Sequence, residues 1–199
     1  MTDEPFSDQL ERWLGSADGK TLGRLGDVFA EKSFAVSILF LMFLPALPLP
    51  TGGITHVFEA ITVLLAAQMV LGARTIWLPA RWRDRELGEA TTTKAMPFMV
   101  RRIRWFERFA RPRGTRLLAQ RWFVRVLGVV LIGLAVAAAL APPFSGLDTL
   151  PALGAVALCL GIILEDIVVV VAGAVIGAGG VVLIITVGAT ILRLVRGLL

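Results

Sequence analysis

The sequence predicts an all-α integral membrane protein. It would contain two proline- and glycine-hinged helical hairpins, for which a re-entrant, quasi-repeated arrangement is open, a C-terminal transmembrane helix and a cytoplasmic amphipathic helix. Three observations carry this. Of 199 residues, 56% are hydrophobic and 18% charged, with a mean hydropathy of +0.79, more apolar than soluble domains are. The basic excess is confined to one block, since residues 74–125 hold fourteen Lys/Arg against four Asp/Glu. Long apolar stretches flank that block, and proline and glycine clusters interrupt them mid-way.

Residues 1–33 form an N-terminal segment expected on the cytoplasmic side, with seven acidic residues against four basic ones. No short apolar core follows a positive start, so a cleaved secretory signal is not expected. SDQLERWL at 7–14 reads as a short helix capped by Ser7, and TLGRLGDVFAE at 21–31 as a second amphipathic piece.

Hairpin 1 spans 34–73. Its first arm has eleven residues before Pro45, about 17 Å of helix against roughly 30 Å of bilayer hydrocarbon. Pro45, Pro48 and Pro50, then Thr51, Gly52 and Gly53, must break it. The chain returns through ITHVFEAITVLLAAQMVLG.

The block 74–125 is a basic linker containing an interfacial helix. Between Pro97 and Pro112, Phe98, Met99, Ile103, Trp105, Phe106 and Phe109 share one side of a helical wheel, and Arg101, Arg104, Arg108 and Arg111 share the other. That distribution suits anionic lipid. Trp77, Trp82, Trp105 and Trp122 fall just outside the apolar arms, as in an aromatic belt.

Hairpin 2 spans 126–164, with Pro142, Pro143, Ser145 and Gly146 at its hinge. Shifting residues 34–72 by 93 positions places Pro50 on Pro143 and Gly53 on Gly146, the mark of an internal duplication. Both hairpins would then open toward the same side. The C-terminal span occupies 167–199, where Gly177, Gly179 and Gly180 either pack helices or mark a break. Together 1–199 reads as a single membrane domain.

Candidate chemistry is sparse. Cys159 is the sole cysteine and His56 the sole histidine, so no zinc site, disulfide framework or serine triad can be assembled. No metal, cofactor or catalytic role is expected. Polar groups at membrane depth or at its edge are Glu31, His56, Glu59, Gln68, Asp148, Glu165 and Asp166, and such groups are costly there and commonly functional. His56 and Glu59, three residues apart, suit a proton-linked or headgroup-binding role. The hinge residues Pro48, Pro50, Thr51, Gly52, Gly53, Pro143, Ser145 and Gly146 would leave helix N-termini at membrane depth, where backbone N–H groups attract a phosphate.

The order Glu31-Lys32-Ser33-Phe34, LPALPLPTGGIT, Gln68, Trp77-Leu78-Pro79, an Arg-rich middle, Thr149-Leu150-Pro151-Ala152-Leu153 and Leu164-Glu165-Asp166 resembles the ExoD family of bacterial exopolysaccharide synthesis proteins. The resemblance covers about residues 20–195. The chain departs from the family's common Gly and Pro at 59 and 61, having Glu59 and Ile61, and from its frequent Asn and Gly at 148 and 167, having Asp148 and Ile167. The resemblance implies a multi-pass protein of the bacterial inner membrane that influences exopolysaccharide synthesis and is not a known catalyst. The expected activity is binding or moving an anionic lipid-linked intermediate of the polyprenyl phosphate type. The alternative is a noncatalytic scaffold or regulator of a polysaccharide synthesis complex. Membrane lipids are the expected partners, with polysaccharide synthesis proteins and further copies of the chain as the other candidates; nucleic acid is not.

Overall fold

The computed structural model describes residues 5–16, 32–47, 54–73, 75–77, 79, 96–118, 120–142 and 145–198. Among them are eight helices and no strand: α1 (Phe6–Gly15), α2 (Ser33–Phe43), α3 (Ile54–Leu71), α4 (Met96–Glu107), α5 (Thr115–Leu118), α6 (Arg121–Leu140), α7 (Thr149–Ile163) and α8 (Ile167–Leu198). The helices α6 and α8 are long and apolar enough to cross a membrane, and α2, α3 and α7 are shorter apolar helices. Eleven residues of α2 give about 17 Å of rise, roughly half a bilayer.

The four hairpin helices exchange partners. Within each hairpin α2 packs on α3 and α6 on α7; between hairpins α2 packs on α7 and α3 on α6. A shift of 93 positions carries α2 into α6 and α3 onto α7, so it turns one inter-hairpin contact into the other. Lys32 and Glu165 meet at one end of this bundle, as do Gly72 and Arg125. The open ends of both hairpins therefore lie together, here called the basic end.

The two returning helices also end alike. After α3, Gly72 takes φ +79° and the amides of Gly72 and Ala73 bond the carbonyls of Met69 and Gln68. After α7, Glu165 takes φ +56° and the amides of Glu165 and Asp166 bond those of Ile162 and Gly161. Both are Schellman closures with a left-handed residue just past the helix. Glycine is free there, whereas a side chain costs about 1 kcal/mol. Positions 72 and 165 are again 93 apart.

Apolar surface is not what binds α7 to α8, because lipid tails are as apolar as leucine side chains; close backbone approach is. A Cβ on Gly154 would stand 2.4 Å from Gly177 Cα, one on Gly173 2.4 Å from Leu158 N, one on Gly161 2.5 Å from Val170 N, and one on Gly180 2.7 Å from Pro151 N. The four contacts climb the antiparallel pair at steps of three and four residues, keeping one face of each helix in register. Gly177, Gly179 and Gly180 thus lie within a continuous α8, and of the two readings of GAGG packing is the one realised, at Gly177 and Gly180.

Outside the bundle α1 packs on α4. Pro5 holds the N-cap position of α1, which corrects the expectation that Ser7 caps it. Ser7 lies inside the helix, and both its backbone N–H and its hydroxyl donate to the Glu107 carboxylate. The expected amphipathic piece at 21–31 lies outside the described residues.

Candidate functional site

Of the residues singled out from the sequence, Glu31, Pro48, Pro50, Thr51, Gly52, Gly53 and Pro143 lie outside the described residues. At the second hinge Ser145 and Gly146 are exposed. The Ser145 hydroxyl donates to Pro142 O at 2.6 Å and accepts from Leu147 N at 3.2 Å, a self-contained turn. Asp148 holds the N-cap position of α7, with no hydrogen bond from its carboxylate to the helix.

Gln68 fastens the chain as it leaves α3. Its amide nitrogen donates to Trp77 O at 2.8 Å and its amide oxygen accepts from Trp77 N at 2.7 Å. The side chain thereby supplies the pairing that a neighbouring strand would otherwise give this extended segment.

Arg101, Arg108 and Arg111 are exposed on or just beyond α4. Arg104 is taken up by the acidic helix beside it, bonding Asp8 at 3.1 Å and Glu11. Val100 and Ile103 are buried, while Phe98, Trp105 and Phe109 stay exposed. The aromatic side of α4 is therefore open at Trp105 and Phe109, while Phe98 also meets the Phe43 ring of α2, centroids 6.1 Å apart.

At the basic end the described residues line a cavity of about 580 Å³. Phe34 and Ala35 of α2, Met69 of α3, Val124 of α6 and Ile162 of α7 make its apolar wall, and Lys32, Arg121, Arg125, Thr115 and Glu165 its polar rim. Three cations against one carboxylate leave the rim positive. Lys32 Nζ lies 2.9 Å from Glu165 Oε1 and donates to Ile163 O at 2.7 Å, so it also covers a carbonyl left free at the end of α7. Across the cavity Arg125 stands over Gly72, with a guanidinium nitrogen 3.4 Å from where a Cβ would be. Lys32 on Glu165 and Arg125 on Gly72 are the same relation twice, each partner moved by 93 positions.

The hydrogen bond from Lys32 holds the Glu165 carboxyl below its ordinary range; burial opposes this, and the charge of Lys32 and a hydrogen bond from Thr115 add to the lowering. The next residue is structural. Burial would raise Asp166, but amide hydrogen bonds from Arg111 and Val168 and the charge of Arg113 outweigh it and lower it. Asp166 caps α8 through Val168 N at 2.9 Å and holds the linker through Arg111 N at 2.9 Å. Gly114 completes that crossing, its amide donating to Glu165 O at 3.0 Å.

Opposite the basic end, His56 Nδ1 and Glu59 Oε2 lie 2.8 Å apart. Among the described residues no three His, Cys, Asp or Glu side chains are placed to hold a metal ion. Sequence reasoning did not single out Lys32, Arg121 or Arg125. The available signal was the shift of 93, which, carried two residues further back from Phe34, lays Lys32 on Arg125.

A family model described as exopolysaccharide synthesis, ExoD, matches residues 6–186. A protein of Synechocystis sp. (strain ATCC 27184 / PCC 6803 / Kazusa), named "Uncharacterized protein slr1875", is 29% identical over 157 residues, covering 74% of this chain and 70% of that one. No solved structure matches.

Proposed function

The chain belongs to the ExoD family of exopolysaccharide synthesis proteins, and on that premise we propose that it holds an anionic lipid-linked intermediate, of the polyprenyl phosphate type, in the bacterial inner membrane. The observation that carries this reading is the cavity at the basic end, whose rim bears Lys32, Arg121 and Arg125 and whose wall is apolar. A phosphate on a hydrocarbon chain asks for that pairing, charge-assisted donors for the head beside apolar surface for the first units of the tail. Glu165 occupies Lys32, so an incoming phosphate competes for the same ammonium.

The orientation follows from the positive-inside bias, which places the basic linker 74–125 and the cavity rim at the cytoplasmic headgroup level. Ser145 and Gly146 then face the other leaflet, as a second station for the phosphate. Arg101, Arg108 and Arg111 would rest on anionic headgroups, with Trp105 and Phe109 inserted beside them.

A scaffold for a polysaccharide synthesis complex is the second reading, favoured by the exposed ridge of Phe98, Trp105 and Phe109 on a helix already braced by α1. Native mass spectrometry of the protein gently extracted from its own membrane separates the two. A retained polyprenyl phosphate, lost in Lys32→Gln and Arg125→Gln at unchanged abundance, supports the carrier reading. No such lipid, with a polymerase co-purifying through α4, overturns it in favour of the scaffold.

A further inference from the structure

We infer that the Glu59 carboxyl is a proton-binding site inside the bundle, loaded and unloaded from the hinge end through His56. This goes beyond the lipid-binding reading and does not depend on it, because Glu59 and the cation-lined cavity lie toward opposite ends of α3.

The argument begins from what surrounds the carboxyl. Glu59 sits five residues into α3, and its side chain is 1% exposed. Oε2 is bonded to His56 Nδ1 at 2.8 Å, while Oε1 has no hydrogen-bond partner. One turn further along the same face the buried Thr62 hydroxyl has none either, and on α2 neither has Ser37. A carboxylate enclosed in this way carries a charge that one oxygen alone cannot settle, the other being shut off from water at the full cost of desolvation. A proton on the carboxyl removes that charge without moving any atom of the fold.

The charged groups near Glu59 are few. His56 lies on its own helix, and Asp148, at the start of α7, is the other group close enough to act on its charge. The helix α2 holds no charged residue, and the Arg121 and Arg125 side chains of α6 line the cavity at the basic end. No fixed cation therefore substitutes for the proton among the described neighbours.

His56 supplies the route. Its side chain is 45% exposed, so the imidazole is open to the outside of the bundle on one side and bonded to Glu59 on the other, and either ring nitrogen can carry a proton. In the loading step Nδ1–H of the imidazolium passes its proton to Oε2, leaving a neutral imidazole and a neutral carboxylic acid. The imidazole then takes its next proton from water, and unloading runs the same steps in reverse.

Infrared spectroscopy of the full chain in phosphatidylcholine vesicles tests this. Between about pH 5 and 8, a protonated-carboxyl carbonyl band is expected that is lost in Glu59→Gln and shifts rapidly on transfer to deuterium oxide. In His56→Gln the band should persist and its deuterium shift should slow. His56 is half exposed, so that variant tests the route even where Glu59→Gln fails to fold. Absence of the band from the wild type, or a band unchanged in Glu59→Gln, overturns the site. Deuterium exchange in His56→Gln as fast as in the wild type overturns the route.

Discussion

Lys32 and Glu165 join the two hairpins at the basic end, the ammonium 2.9 Å from the carboxylate of a residue held at φ +56°. The equivalent position in the first half, Gly72, pays no such conformational cost, so the side chain at 165 is retained against a backbone preference for glycine. Strain kept in place by an ion pair on a cavity rim is what a ligand-responsive latch would need.

Glu165→Gly and Glu165→Ala separate the two contributions. Both lose the bond to Lys32, but only glycine relieves the left-handed backbone, so Glu165→Gly should be the more stable by about 1 kcal/mol. Thermal unfolding in a single detergent measures the difference, and equal midpoints would count against the strain. Both variants free Lys32 and should retain more polyprenyl phosphate than the wild type.

The pH dependence has a definite sign. Glu165 and Asp166 have carboxyls lowered by folding, from ordinary values of 4.5 and 3.8, so their contribution is present above those values. It is lost as pH falls from there through the lower folded values. These two carboxyls should add no slope near neutrality and should lower the unfolding midpoint below about pH 4, and Glu165→Gln should flatten part of that fall. The Lys32–Glu165 pair is partly exposed, so its share is modest, under about 1 kcal/mol.

Along α7 and α8, glycines divide into two classes. Gly154→Leu and Gly173→Leu should lower the yield of folded protein severely, because a Cβ at either meets backbone atoms closer than 2.6 Å. Gly179→Leu and Gly188→Leu meet nothing within 4 Å and should leave yield and melting unchanged. Size-exclusion chromatography of the four variants reads the contrast; four equal profiles would remove the backbone contact as the cause of helix pairing.

Gln68→Leu removes both bonds to the Trp77 backbone while keeping the side-chain bulk. Unpairing two backbone groups costs about 1–3 kcal/mol, felt locally as the 75–77 segment leaves α3. Amide hydrogen exchange at Trp77 should quicken well beyond that of α3 itself. Unchanged exchange at Trp77 would mean the clamp is incidental.

Much of this architecture was legible because membrane insertion leaves coarse marks. The all-helical character, the apolar length of α8 and the family were visible in the sequence. Proline and glycine clusters separated the apolar arms, and one periodic shift related the halves. Less visible were features that depend on what stands across the bundle. Arg104 is polar on any helical wheel, yet its partners Asp8 and Glu11 arrive from a distant segment. Ser7 has the chemistry of a cap, but Glu107 captures its hydroxyl. Lys32 and Arg125 are two among twenty Lys/Arg until the bundle sets each beside the end of the other hairpin.

The glycine register between α7 and α8 has a mechanical consequence. Backbones that touch at four successive levels cannot slide past one another without collision, so shear between these helices is blocked. Any opening of the cavity must move α7 and α8 as one rigid body, with α2 and α3 yielding on its other side. Lys32 and Glu165 tie the start of α2 to the end of α7, so breaking their bond frees the rigid pair from the first hairpin at the basic end.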